Sequence, residues 1–201
     1  MSTRIGFLTI GQSPRTDVMA EISSLLGPGQ EVEEAGALDE LSSSKIRKLQ
    51  PASGEFPLVT RLRDGSSVVV GRRKIIPLLQ HKIDELENRG VSLVGFLCTG
   101  DFPGLRSSLP ILFPSKLLYH LAMAIQIPGP MLVVAPLPEQ EESLRERWER
   151  TGRQVFFLAL NPYTTSRGIQ LSEIVSERDY SLVVLDCIGY GLEAKRMFSQ
   201  A

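Results

Sequence analysis

Val91-Ser-Leu-Val-Gly-Phe-Leu-Cys98-Thr99-Gly100-Asp101-Phe102-Pro103 is a short apolar run that ends in a cysteine and then a turn. A run apolar at nearly every position reads as a parallel strand buried on both faces, which delivers its thiol to the C-terminal edge of a sheet. The pattern returns near the end of the chain as Ser181-Leu-Val-Val-Leu-Asp186-Cys187-Ile188-Gly189-Tyr190. These hold the only 2 cysteines in the sequence, and each closes an apolar strand just before a glycine. In open α/β sheets ligands bind beyond the carboxyl ends of the strands. Two matched thiols there point to a pair of proton-transfer groups facing one substrate.

Outward from the first of these stretches, apolar runs and helical repeats alternate. Upstream, Ile75, Leu78, Leu79, Ile83 and Leu86 follow the helical period, so a helix is expected from about Lys74 to Asn88, closed by Arg89-Gly90. Before it, Leu58–Leu62 and Ser67–Val70 flank an Asp64-Gly65 turn and read as a β-hairpin at a sheet edge. The chain opens with a strand, Ile5 to Ile10, and Gly11-Gln-Ser13-Pro14 follows it. Ser13 suits a helix N-cap, Pro14 the first helical position and Asp17 the first turn, with the helix running to about Leu26. A second strand is expected over Glu31–Ala37 and a short helix over Leu41–Leu49.

Downstream, Ser115 is placed to cap a helix over Lys116–Gln126, and Pro128-Gly129-Pro130 punctuates it. Strands at Met131–Ala135 and Val155–Leu160 follow, separated by a charged helix over Glu139–Arg150. A last helix over Ile169–Arg178 leads to the Cys187 strand. The alternation implies an α/β protein of two pseudo-symmetric parallel-sheet lobes, with the hairpin as an excursion in the first. The expected division is 1–128, carrying Cys98, and 129–201, carrying Cys187, with the helix before the boundary free to cross over.

The 201 residues suffice for two small lobes, and the formal net charge of −1 gives no electrostatic case for nucleic acid or an anionic membrane. No stretch reads as a spanning helix or an export signal, so reduced thiols and a cytoplasmic location are expected. His81 and His120 lie in helical segments without a cysteine at ligand spacing, so no metal site and no cofactor are expected. The glycine pattern for dinucleotides and the phosphate-cradling loop are both missing.

The chemistry that fits is proton transfer at carbon. A carbon acid beside a carboxylate or carbonyl is racemised when a base removes its proton on one face and an acid returns one on the other. A thiolate and a thiol fill both roles, and helix N-termini at the strand ends favour the thiolate. Cys98 and Cys187 are therefore the catalytic candidates. The Thr99 hydroxyl and the amides around Gly100 and Gly189 are placed to hold a carboxylate or enolate oxygen. Arg72 or Arg73, at a strand-to-helix junction, or Arg15 is placed to bind a distal acidic group. Thr9, Gln12 and Ser13 share the same sheet edge. Glu139 is an orienting or acid/base candidate, and with Tyr190 it completes the expected substrate-binding set. Strand alternation points Asp186 away from Cys187, which removes it from the catalytic list. Each of these residues also has an ordinary structural reading as a buried small hydrophobe, a turn residue or a solvated charge.

Thr9-Ile-Gly-Gln-Ser-Pro-Arg15, Arg72-Arg-Lys-Ile-Ile-Pro-Leu-Leu-Gln80, Leu97-Cys-Thr-Gly-Asp-Phe-Pro103, Pro136-Leu-Pro-Glu-Gln140 and Asp186-Cys-Ile-Gly-Tyr190 together resemble the AroM family. That family is in turn similar to the aspartate/glutamate and hydantoin racemases. The resemblance implies two α/β lobes, a cysteine from each flanking a cleft, and no cofactor. By position Cys98 and Cys187 match the superfamily's catalytic cysteines. Where many of those enzymes follow the second cysteine with threonine, this chain has Ile188. The resemblance also implies a further strand and helix after Cys187, where this sequence ends at Ala201. The expectation there is a shortened chain or a sheet completed in another way, for instance by a partner subunit.

The function expected is a cofactor-independent, racemase-like isomerase acting on a small carboxylate-containing molecule, alone or as a homodimer. The alternatives are a single-cysteine isomerase or decarboxylase of the same fold, and a non-catalytic metabolite-binding protein linked to aromatic biosynthesis.

Overall fold

The computed structural model describes residues 3–164 and 179–200, and the expected helix over 169–178 lies outside them. The fold is mixed α/β with parallel sheets, divided into two units, Met1–Pro114 and Ser115–Ala201.

The first unit is built on a four-stranded sheet ordered β2-β1-β5-β6, with every neighbouring pair parallel. Its strands are β1 (Arg4–Thr9), β2 (Glu31–Gly36), β5 (Leu93–Phe96) and the two-residue β6 (Ile111–Leu112). Helix α1 (Thr16–Ile22) follows β1, α2 (Ser43–Arg47) follows β2, and α3 (Arg72–Asn88) leads into β5. Ile75, Leu79, Ile83 and Leu86 of α3 are fully buried in one cluster with Leu8, Val94 and Phe96, so the helical repeat does face the sheet. Because α3 runs back along a parallel sheet, its N-terminus lies at the C-terminal edge that carries Cys98.

The hairpin of β3 (Pro57–Arg61) and β4 (Ser67–Gly71) is antiparallel as expected. It is not an edge of the main sheet, however, but a separate two-stranded sheet. Its β3 strand lies on the end of β1: the Gln12 N–H donates to the Arg61 carbonyl at 3.3 Å. A Cβ on Gly11 would fall 2.4 Å from both that carbonyl and the Thr60 hydroxyl, so only glycine allows this approach.

The second unit repeats the plan with the order β8-β7-β9, all parallel. Strands β7 (Met131–Ala135), β8 (Val155–Ala159) and β9 (Leu182–Leu185) are joined in part by α5 (Glu141–Glu149). One sheet face packs Leu132 and Val134 against Phe198 of the final helix α6 (Leu192–Gln200). In both units the first strand is central, the second lies on one side and the cysteine strand on the other.

Two local expectations are corrected. Ser13 does not cap α1, which begins at Thr16, because its N–H and hydroxyl both bond the Asp39 carboxylate at 2.7 Å. Ser115 lies inside α4 (Pro114–Ala124), whose first residue is the proline. The division between the units follows Pro114, so α4, the helix left free to cross over, goes with the second unit. Arg147 bonds the Ser115 carbonyl there and lies over Tyr119, and Tyr119 packs against the Trp148 ring at 5.8 Å.

Candidate functional site

Cys98 and Cys187 occupy equivalent places. Past β5, the Leu97 N–H continues the ladder to the Leu8 carbonyl at 2.8 Å, and Cys98 is the next residue. Past β9, the Asp186 N–H continues its ladder to the Val134 carbonyl, also at 2.8 Å, and Cys187 is next. Each chain then turns so that a glycine amide points back at the sulfur. The Gly100 N–H donates to Cys98 Sγ at 3.3 Å, and the Gly189 N–H to Cys187 Sγ at 3.4 Å. An N–H directed at sulfur favours thiolate over thiol, which is what a carbon base requires. Cys98 is 9% exposed and Cys187 half-buried. Neither is in a disulfide.

Around the Cys98 edge the structure brings together Thr9, Gln12, Ser13 and Arg15, and most of their polar groups are engaged. Thr9 Oγ1 accepts from the Gly11 N–H and from the Arg15 guanidinium, both at 3.2 Å. Arg15 is 2% exposed and forks onto both oxygens of Asp17 at 2.9 and 2.8 Å. Burial alone would raise the Asp17 carboxyl, but the bonds and charge of Arg15, helped by Arg61, hold it below the usual range. Gln12 bonds the Leu38 carbonyl and accepts from the Arg63 N–H. Asp39 is the hub of the loop: besides Ser13 it accepts from the Gly36 N–H at 2.8 Å and from Arg63 at 3.2 Å. Asp39 and Arg63 escaped the sequence reading. The signal for Asp39 was available, since it follows β2 at the same C-terminal edge as the residues that were singled out.

Arg72 and Arg73 open α3. The Arg73 amide donates to the buried Glu55 carboxylate at 2.8 Å, as does the Ala52 amide at 3.0 Å. These backbone donors, the Ala52 amide foremost, outweigh burial and hold the Glu55 carboxyl below the usual range. The Arg73 side chain is exposed, whereas the half-buried Arg72 places its guanidinium over the Phe56 ring at 5.2 Å. Thr99 is half-buried beside Cys98, and Leu58 of β3 packs where a Cβ on Gly100 would meet it at 3.1 Å.

At the Cys187 edge, Asp186 accepts the buried Trp148 indole N–H at 2.9 Å. The Tyr190 hydroxyl donates to the Leu160 carbonyl. Burial pushes this phenol far above its usual range, and the charges of Cys187 and Asp186 add to the effect. Tyr190 therefore ties the β8 and β9 loops through its hydroxyl. Tyr163, which the sequence reading passed over, lies against Gly189: a Cβ there would fall 2.7 Å from its hydroxyl. Glu139 is exposed in a short 3-10 turn after β7, beside the buried Gln140.

One group of metal-capable atoms occurs among the described residues, where Glu40, His81 and Glu85 lie within 4.8 Å of one another. The Lys82 ammonium bonds both carboxylates and supplies the positive charge an ion would bring. No helix among the described residues is long and apolar enough to cross a membrane.

The family model described as AroM protein matches residues 5–201. The chain belongs to the AroM family. No curated protein matches it by sequence. Among solved structures, allantoin racemase from Klebsiella pneumoniae superposes with a TM-score of 0.62 at 15% identity, over 99% of this chain and 80% of that one. Aspartate racemase from Picrophilus torridus gives a TM-score of 0.60 at 8% identity, over 96% of this chain and 86% of that one. A double mutant of arylmalonate decarboxylase gives 0.52 at 12% identity, over 97% and 92%. These superpositions show that the AroM chain shares the racemase fold, and at identities this low the likeness extends to the fold alone.

Proposed function

We propose that this AroM-family protein is a cofactor-independent, racemase-like isomerase that moves a proton at a carbon next to the carboxylate or carbonyl of a small acid. The observation that carries the reading is the matched pair of glycine N–H···Sγ bonds at Cys98 and Cys187. A thiol that only fills a strand end has no need of a donor aimed at its sulfur, and two such donors at equivalent places favour a shared acid/base role. In this reading one thiolate takes the proton from one face of the carbon, and the C–H electron pair passes into an enolate. The other thiol then returns a proton to the opposite face, and the next turnover runs with the roles exchanged.

Since the Gly100 and Gly189 N–H groups are turned to sulfur, the enolate oxygen falls to the Thr99 hydroxyl and to the amides of Thr99 and Ile188. Arg15 is committed to Asp17, so Arg72 is the better candidate for a distal acidic group. Its guanidinium makes no ion pair among the described residues and stands at the helix end that shares the Cys98 edge.

The likeness to a decarboxylase keeps a one-thiol reaction as the second reading. The two are separated by following optical rotation over enantiopure amino acids, hydantoins, 2-hydroxy acids and shikimate-pathway acids. The proposal expects racemisation of one class, lost in both Cys98→Ser and Cys187→Ser. Full turnover in either variant contradicts a two-thiol mechanism. A ligand that raises the melting temperature and is never turned over would mark a binding protein.

A further inference from the structure

The outer edge of β4 and the α2 segment flank a groove of about 480 Å³ in the first unit, lined by Ile46, Arg47 and Pro51 and by Ser67, Val68 and Val69. The register of the hairpin fixes which way those strand residues turn. In an antiparallel pair, hydrogen-bonded and non-bonded residue pairs alternate. The Leu62 N–H donates to the Ser66 carbonyl at 2.7 Å and the Arg72 N–H to the Phe56 carbonyl at 3.1 Å, so bonded pairs close the ladder at both ends. Counting inward from either end, Arg61–Ser67, Val59–Val69 and Pro57–Gly71 are the non-bonded pairs. Ser67, Val69 and Gly71 therefore turn their N–H and C=O groups away from β3. Gly71 bears this out, since its N–H donates to the Leu49 carbonyl at 2.7 Å, outside the hairpin. The Ser67 and Val69 amides have no such partner among the described residues. They form a short open strand edge along the groove.

The charge around this edge has one sign. The two segments that form the groove, 41–54 and 65–74, hold Lys45, Arg47, Lys48, Arg72, Arg73 and Lys74 and no acidic residue. Arg47 lines the groove, and neither it nor Lys45 or Lys48 beside it makes an ion pair among the described residues. A second copy of β4 would bring Arg47 against Arg47 across a two-fold axis, which like charge disfavours. A nucleic-acid backbone suits the cations but has no donor for the strand carbonyls. An acidic strand satisfies both. We propose that β4 takes an added strand here, an extended peptide segment with carboxylate side chains. Its main chain pairs with Ser67 and Val69, a carboxylate meets Arg47, and an apolar side chain rests on Ile46 and Pro51. The proposal does not depend on the thiol chemistry.

The probe is the peptide Glu-Val-Glu-Val-Glu-amide, labelled with fluorescein at its N-terminus and followed by anisotropy on the whole protein. Saturable binding is expected, and its absence up to about 1 mM protein overturns the proposal. The glutamine counterpart should bind about tenfold more weakly, the worth of one hydrogen bond to a charged group, and Arg47→Glu should weaken the glutamate peptide by a similar factor. Peptides of equal affinity overturn the charge assignment. Strand pairing is tested by N-methylation of the probe, because only alternate amides of an added strand face β4. Methylating the second and fourth amides, or the third alone, should differ: one peptide loses about fivefold and the other keeps its affinity. Equal losses overturn the strand mode. Val69→Pro removes an outward N–H and no ladder bond, so it should also lower affinity about fivefold. The N-methyl comparison uses the unaltered protein and decides even where Val69→Pro does not fold. A single-stranded oligonucleotide that binds more tightly than the peptide, or self-association lost in Val69→Pro, overturns the proposal by giving the edge another occupant.

Discussion

Gly189 carries two demands at once, a bond from its N–H to Cys187 and contact with Tyr163 across its bare Cα. Gly189→Ala places a methyl 2.7 Å from the Tyr163 hydroxyl and 2.8 Å from the Pro162 ring, so the turn must open. The expected outcome is slower iodoacetamide alkylation of Cys187 at neutral pH, with Cys98 unaffected. Equal rates at Cys187 in both proteins would contradict the role given to the N–H. Thr60 presents the opposite case, a buried hydroxyl with no hydrogen-bond partner among the described residues. Thr60→Val keeps the shape and removes the uncompensated group, so it is expected to stabilise the protein by about 1 kcal/mol in denaturant unfolding. A loss of stability would show that Thr60 has a partner the present account lacks. The crowding of Gly189 by Tyr163 and the orphaned hydroxyl of Thr60 could not be read in advance, because each depends on a loop or strand distant in sequence.

Among the elements, α3 has the plainest acid dependence, because Glu55 closes its N-terminus with a carboxylate held below the usual range. A carboxyl depressed in the folded state stabilises above its unfolded value and loses that contribution as pH falls through the folded one. The melting temperature should therefore drop more steeply below about pH 4.3 in the wild type than in Glu55→Gln, which starts lower at neutral pH. Parallel curves for the two proteins would remove Glu55 from the helix cap. Elements with a long periodic signal were legible: all four fully buried apolar residues of α3 were expected from their spacing, and β7 was read to the residue from Met131 to Ala135. The hairpin was legible as a hairpin, but its separation from the main sheet was not, since edge pairing depends on partners and not on its own alternation. Strand β6, with two residues, carries no period at all. The start of α1 was misread because Ser13 has the chemistry of an N-cap, and a tertiary partner, Asp39, takes both of its hydrogen bonds.

At the scale of the molecule, the recurrence of β2-β1-β5 as β8-β7-β9 accounts for the matched cysteines. The same local plan was used twice, and each copy ends its third strand in a thiol with a glycine amide turned back on it. The sequence showed the matched cysteines directly, because a cysteine after a run of apolar residues and before a glycine is a local pattern, but it assigned the glycine amides to a substrate oxygen and not to sulfur. It could not show which neighbouring side chains are free for a ligand. Arg15 looked like Arg72 on paper, and only the fold reveals that Asp17 occupies the first while the second rests on Phe56. The central claim, that the two thiols exchange a proton at carbon, is tested most directly by deuterium incorporation. The protein is incubated in D₂O with the panel of amino acids, hydantoins, 2-hydroxy acids and shikimate-pathway acids, and each compound is weighed by mass spectrometry. The account predicts one deuteron entering at the carbon beside the carboxylate or carbonyl of one class, with racemisation lost in Cys98→Ser and in Cys187→Ser. Racemisation that survives unchanged in either variant would contradict it.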